Sequence, residues 1–165
     1  QHAISTSSHE DARRIHSASM VISVLVALVA GAVIAIFGNS VYQIWTAGQL
    51  TVPSSVWPLL ALGILLNSLW WSSGLVHQAF NQPWYMNCTA IVVSIFSLSL
   101  MAVLGSLWAI TGIVTGYLLF DMLMTTVIYR RSLILLNDTA EASIRRGVKM
   151  IRLHEIRRIL GFGSI

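Results

Sequence analysis

The chain has 165 residues, of which 56% are hydrophobic and 10% are charged, and its formal net charge is +4. Soluble domains carry about 25% charged residues, so this composition excludes an ordinary soluble domain. The single cysteine, Cys88, excludes an internal disulfide. The basic residues lie towards the two ends of the chain. That distribution indicates cytoplasmic flanks of a membrane region and argues against a nucleic-acid partner.

Four apolar stretches between the basic ends are each long enough to cross a bilayer. Between Arg14 and Arg130 only Asp121 carries a charge. An interval with so few charges is typical of segments buried in lipid. About 20 apolar residues span about 30 Å of hydrocarbon, and open strands would leave backbone groups unpaired there. The sequence therefore predicts an all-α integral membrane protein with four transmembrane helices, at about 17–44, 56–80, 85–104 and 110–129.

These spans divide the chain into a polar segment (1–16), a transmembrane region (17–131) and a tail (132–165). Positive charge before the first span and after the last one marks the cytoplasmic side. Four crossings place both ends on that side, so the sequence predicts a multi-pass protein of the inner, cytoplasmic membrane. A first residue of Gln1 in place of Met indicates processing or a longer parent sequence.

The tail is predicted to form a basic amphipathic helix that begins at Asp138. Glu141, three residues later, has the spacing of a capping box. Such a helix suits the anionic inner leaflet of the membrane, and a solvated helix that only reports topology fits the pattern equally well. Its apolar positions are Ile144, Val148, Ile151, Ile159 and Leu160, and its basic positions are Arg145, Arg146, Lys149, Arg152, Arg157 and Arg158.

Asp121 lies near the middle of the fourth predicted span, about nine residues from each end, which places it close to the bilayer midplane. A carboxylate there costs about 2.5–3.5 kcal/mol on insertion scales. It is therefore either a coupling site for a proton or cation, a contact to a polar substrate, or a structural acid that is hydrogen-bonded to a Ser or Thr on a neighbouring helix. The four spans contain no Lys or Arg, so any cationic partner is expected on a helix outside them.

A row of polar and aromatic residues follows one face of the second span at helical spacing. Amides and an imidazole on one face of a membrane helix indicate a hydrated path or a polar substrate surface, and indole rings give surfaces on which sugars stack. The alternative interpretation is packing and interface anchoring. The predicted cavity-lining residues are Asn67, Trp70, Trp71, His77, Gln78 and Asn81.

Small residues predict where helices approach closely, with Gly31 on the first span and the Gly112–Gly116 pair on the fourth. The sequence contains no phosphate-binding loop, no nucleophile elbow and no pair of metal ligands. It therefore predicts neither an enzyme nor a cofactor or metal site.

Three short motifs at the ends of the spans resemble those of a transporter family. Ile44-Trp45-Thr46-Ala47-Gly48 follows the first span, Ala79-Phe80-Asn81-Gln82-Pro83 follows the second, and Trp108-Ala109-Ile110-Thr111-Gly112 opens the fourth, with Ala109 in place of the usual glycine. In this order the features resemble the C-terminal third of polysaccharide and O-antigen flippases, which belong to the multidrug/oligosaccharidyl-lipid/polysaccharide exporter superfamily.

The resemblance implies a chain of twelve or more helices in two lobes around a cavity that opens alternately to each side. The four spans would be helices nine to twelve, the missing N-terminal helices would complete the transporter, and the substrate would be a lipid-linked oligosaccharide. Two departures from the family are the presence of only four spans and the absence of a basic residue within the membrane to bind the diphosphate. The alternative is a small four-helix structural or accessory subunit that docks onto partner membrane subunits.

Overall fold

The computed structural model describes residues 9–150, and this part of the chain contains helices and no strands. Three of its helices are long and apolar enough to cross a membrane: α1, α2, and the continuous helical stretch Pro83–Leu135, which has 53 residues. The elements in chain order are α1 (His9–Trp45), α2 (Val56–Ala79), α3 (Pro83–Met124), a π-helical turn (Thr125–Tyr129), α4 (Arg130–Leu135) and α5 (Ala140–Met150).

The stretch Pro83–Leu135 folds back on itself at Trp108 and Ala109, whose φ and ψ angles are −127° and 19°, and 49° and −132°. A straight helix of that length would measure about 80 Å, more than twice the hydrocarbon thickness. The reversal divides it into a first arm (83–107) and a second arm (110–135), each of bilayer length. It falls at the connection that the sequence predicted between the third and fourth spans.

Small residues hold the two arms together as an antiparallel pair. Gly112 lies against the backbone of Leu104, and Gly116 lies against Met101. The Ser97 hydroxyl donates a hydrogen bond of 2.6 Å to the carbonyl oxygen of Gly116. Residues later in the second arm therefore contact residues earlier in the first arm, which is the pairing of an antiparallel helical hairpin.

Replacement of Ala109 by glycine is expected to stabilise the hairpin. The positive φ of Ala109 brings its Cβ close to the backbone, which costs an L-residue about 1–2 kcal/mol and costs glycine nothing. We expect Ala109→Gly to raise the midpoint of thermal unfolding in detergent and Ala109→Val to lower it. A lower midpoint for the glycine variant would contradict the conformation of the turn.

The α1–α2 pair also packs through small residues. Gly31 approaches the carbonyl oxygen of Ala61 so closely that an added Cβ would lie 3.3 Å away, and Ala27 is buried one turn earlier. The outer face of α1 is apolar and exposed, with Val29 at 67% and Ile36 at 69% of full exposure. Such a face suits lipid, because in water it would form a large exposed apolar patch.

The two ends of the described chain meet at the same end of the bundle. Arg13 Nε donates to the carbonyl oxygen of Leu136 at 2.6 Å, and the rings of His9 and Phe80 lie 6.0 Å apart. The first and last described elements are therefore neighbours, which agrees with an even number of crossings. At the opposite end of the bundle the Tyr42 and Trp57 rings contact each other at 5.9 Å.

The N-terminus of α5 is capped by Thr139, whose hydroxyl accepts the backbone N–H three residues later at 3.2 Å. The predicted cap by Asp138 is therefore wrong, since its carboxylate instead accepts hydrogen bonds from Arg146, the shorter at 2.7 Å. Burial of Asp138 acts to raise its pKa, but the bond and charge of Arg146 outweigh this and hold the pKa below its ordinary value. Glu141 pairs with Arg145 at 3.0 Å and does not close a capping box.

The face of α5 that meets α1 combines the small residues Ser143 and Gly147 with Arg146. The hydroxyls of Ser143 and Ser17 lie 3.1 Å apart, and Gly147 packs against Ser17 and Val21. Of the apolar residues of the predicted amphipathic face, Ile144 and Val148 are described, and each is 58% exposed. The tail positions Ile151, Arg152, Arg157, Arg158, Ile159 and Leu160 lie outside the described residues.

Candidate functional site

A buried carboxylate joins α2 to the second arm. The Asp121 side chain is inaccessible to solvent, and its Oδ1 accepts hydrogen bonds from Trp70 Nε1 at 2.9 Å and Asn67 Nδ2 at 3.3 Å. The sequence predicted that any cationic partner lies outside the four spans and that a structural partner is a Ser or Thr. The structure instead supplies an amide and an indole from α2. Both donors belong to the predicted polar face of α2.

The second oxygen of this carboxylate, Oδ2, is buried and has no hydrogen-bond partner among residues 9–150. It lies beside Gly63, where an added Cβ would be 3.6 Å away, and the Tyr117 ring borders the same space at 3.5 Å. Tyr117 approaches the carboxylate without a hydrogen bond of standard geometry. A buried acceptor without a partner is costly, so Oδ2 is the atom of this site that is open to a proton or a ligand.

Helical spacing brings the site residues to one level. Gly63, Asn67 and Trp70 lie on successive turns of α2, and Tyr117 and Asp121 lie one turn apart on the second arm. Thr125, a further turn along, donates a hydrogen bond of 2.8 Å to the carbonyl oxygen of Leu66. The π-helical turn starts at Thr125, so the arm widens directly after the site.

Sequence reasoning missed Gly63, Tyr117 and Thr125. Tyr117 and Thr125 lie four residues before and after Asp121, and Gly63 lies four residues before Asn67. Positions four apart share one helix face, so the same periodicity that selected the polar residues of α2 would have found all three.

Aromatic and aliphatic side chains close the site on its inner side. Trp70 meets Phe120 edge-on, with ring centroids 6.2 Å apart, and meets Trp71 at 5.4 Å. It also forms a buried cluster with Met124 and Ile128. The indole N–H thus reaches the carboxylate from a dry environment, where a hydrogen bond is electrostatically stronger than in water.

The predicted polar face of α2 divides into two rows in the structure. Trp70 and His77 are buried against α3 and the π-helical turn, while Asn67 is half-buried. Trp71 is 63% exposed, and Gln78 and Asn81 are also exposed. The buried row binds Asp121 and packs the bundle, whereas the exposed row is free to meet another molecule.

His77 belongs to a separate aromatic cluster near the end of the bundle where Arg13 contacts Leu136. Its ring stacks on Tyr85 at 5.6 Å with an interplanar angle of 12°, and its Nε2 lies 3.5 Å from the carbonyl oxygen of Ile128. The Arg131 guanidinium lies 5.4 Å from the centroid of the Tyr85 ring. Arg131 follows Asp121 by about three helical turns, roughly 15 Å, so it does not neutralise the buried carboxylate.

A half-open pocket of about 160 Å³ near this end of the bundle lies between α1 and α2 and does not include the carboxylate site. The residues that line this pocket include Ile15, His16, Ser72, Val76, Phe80 and Leu136.

Within residues 9–150 no group of three or more His, Cys, Asp or Glu side chains is placed to hold a metal ion.

Comparison of the chain with protein-family models, with curated proteins and with solved structures finds no match. Function is therefore inferred from the geometry of the site and from the resemblance of the motifs at the ends of the spans.

Proposed function

We propose that this chain is the C-terminal portion of a transporter that moves lipid-linked oligosaccharide across the cytoplasmic membrane by alternating access. The observation that carries the proposal is the bond of Asp121 to Asn67 and Trp70, which links two helices inside an apolar bundle through one oxygen of a carboxylate. Polar groups at such a depth are expensive and are typical of pathways and coupling sites.

The second oxygen of Asp121, which is buried and bordered by Tyr117, is where the strength of this link could be altered. Binding of a proton or a cation at Oδ2 would remove the negative charge that holds the indole and amide donors, and the contact between α2 and the second arm would weaken. Two helices that exchange between a bonded and a released arrangement are the kind of two-state element that alternating access requires.

The exposed row of α2 supplies a surface for the sugar. The Trp71 ring is open on the bundle surface, and the amide of Gln78 lies two turns further along the same face. Indole faces stack on sugar rings and amides bond to their hydroxyls, so this row fits an oligosaccharide better than it fits lipid tails.

The test is oligosaccharide export by the full-length protein in cells that lack their own flippase. Asp121→Asn keeps an oxygen that accepts from Trp70 but cannot carry the charge, and we expect export to fall about 10-fold or more at normal membrane abundance, which corresponds to ~1.4 kcal/mol in the barrier. Trp71→Ala is expected to reduce export as well.

Trp45→Ala is the matched control, because Trp45 is 80% exposed at the far end of α1, away from the site. Normal export with both Asp121→Asn and Trp71→Ala would refute the transport proposal.

The second candidate is a four-helix accessory subunit of a larger membrane complex. It is favoured by the self-contained packing of the described bundle, in which the first and last elements cover each other through Ser17, Ser143 and Gly147. The length of the encoding reading frame separates the two candidates. About eight further spans upstream of Gln1 would support the transporter, and a start codon near Gln1 would support the subunit.

A further inference from the structure

The outward face of α5 combines an apolar pair with a basic ridge. Ile144 and Val148 lie on successive turns and are each 58% exposed. Arg145 and Lys149 follow them by one residue and are exposed as well. This is the order of side chains that an amphipathic helix presents to an anionic bilayer surface, with apolar side chains inserted and cationic ones beside the headgroups.

The position of α5 along the bundle sets the depth of this face. Gly147 contacts Ser17 and Val21, which lie on the first two turns of the charge-free interval that begins after Arg14. The apolar pair is on the same turns of α5 as Ser143 and Gly147. Ile144 and Val148 therefore lie at the level where the hydrocarbon begins, and α5 is held at that level by its contacts with α1.

Two further contacts fix α5 without using the outward face. Arg146 is bound by Asp138 at 2.7 Å and reaches the Ser17 hydroxyl at 3.2 Å. Among residues 9–150 Arg145 pairs with Glu141 alone, and both side chains are more than 80% exposed, so this ion pair is weak and leaves the guanidinium available. The outward charges of Arg145 and Lys149 are thus separate from Arg146, which holds α5 against α1.

We propose that the outward face of α5 binds anionic phospholipid headgroups at the membrane surface, with Ile144 and Val148 inserted among the upper acyl chains and Arg145 and Lys149 beside the phosphates. The inference is independent of what the protein transports. It assigns to α5 the task of fixing the second arm relative to the bilayer, because α5 is joined to that arm by the short connection after α4.

The test uses the full chain with Cys88→Ser and a fluorescent NBD label on Val148→Cys, reconstituted in nanodiscs. The discs contain phosphatidylcholine with about 30% phosphatidylglycerol, in which anionic headgroups compete for the site. Quenching by spin-labelled phosphatidylglycerol is compared with quenching by spin-labelled phosphatidylcholine. A label on Trp45→Cys is the matched control, because Trp45 is 80% exposed at the opposite end of the bundle, where the sequence has no basic residue.

We expect the label at position 148 to be quenched preferentially by phosphatidylglycerol, by about 5-fold for each nearby positive charge, which is ~1 kcal/mol per charge. Arg145→Gln with Lys149→Gln is expected to remove that preference, and the control label at position 45 is expected to be quenched equally by the two lipids. Equal quenching by both lipids at position 148, or no quenching by either lipid, would overturn the proposal.

Discussion

Gly112→Ala is expected to prevent correct closure of the helical hairpin. A Cβ at position 112 would overlap the carbonyl oxygen of Leu104, and this obstacle is backbone and has no rotamer to change. Both arms would have to separate, which would also weaken the bond from Ser97 to Gly116 and the contact with Met101. We expect a loss of about 3 kcal/mol or more, measured by unfolding of the purified chain in mixed micelles.

Gly63→Ala is the matched control for this substitution. Gly63 is a buried helical glycine as well, but an added Cβ would meet its neighbours at 3.5 Å or beyond, which is ordinary contact. Alanine has the higher helix propensity, so we expect unchanged or slightly raised stability. If Gly112→Ala were as well tolerated as Gly63→Ala, the close packing of the two arms would be wrong.

Trp70→Ala is expected to cost about 3–5 kcal/mol, the usual penalty for removal of a large buried aromatic side chain. The substitution opens a cavity beside Phe120 and Met124 and leaves Asp121 with a single donor, Asn67. Loss of abundance in the membrane and a lower unfolding midpoint are the expected measurements. An effect on export would follow from loss of the fold and would not by itself locate substrate.

The adjacent Trp71→Ala gives the control, because the two residues share a side-chain type and differ in burial, at 8% and 63% exposure. We expect it to change stability by less than about 0.5 kcal/mol. Trp70→Phe separates packing from hydrogen bonding, since it keeps a ring and removes the indole N–H. It is expected to cost about 0.6–1.7 kcal/mol, the range for hydrogen bonds between membrane helices. Equal losses for both alanine variants would contradict the division of α2 into a buried and an exposed row.

The helices and their reversals were predictable because they follow from the cost of charge in lipid. The absence of Lys and Arg between Arg14 and Arg130 defines the interval, and the turn at Trp108 and Ala109 falls within the predicted connection. The π-helical turn was not predictable, since it arises from how the second arm packs on α2. The face of α5 that packs on α1 was also not predicted. Amphipathic analysis looks for apolar residues, and this contact uses Ser143 and Gly147.

The sequence predicted several residues of the candidate site, but it did not predict which of them contact one another. Periodicity placed Asn67 and Trp70 on one face of α2 and singled out Asp121 as a midplane acid, but one sequence cannot say which faces of two helices meet. For the same reason Trp70 and Trp71, one residue apart and both on the predicted face, could not be separated. Only the rotation of α2 against the second arm buries the first and exposes the second.

The contact between α1 and α5 has a consequence for biogenesis. Ser17 is fully buried, and the residues that cover it, Ser143 and Gly147, are synthesised more than a hundred residues later. When α1 first enters the bilayer, this polar patch has no cover, and Arg13 has not yet met Leu136. The contact between α1 and α5 can therefore form only after α5 has been synthesised, which makes it one of the last contacts of the described bundle to form.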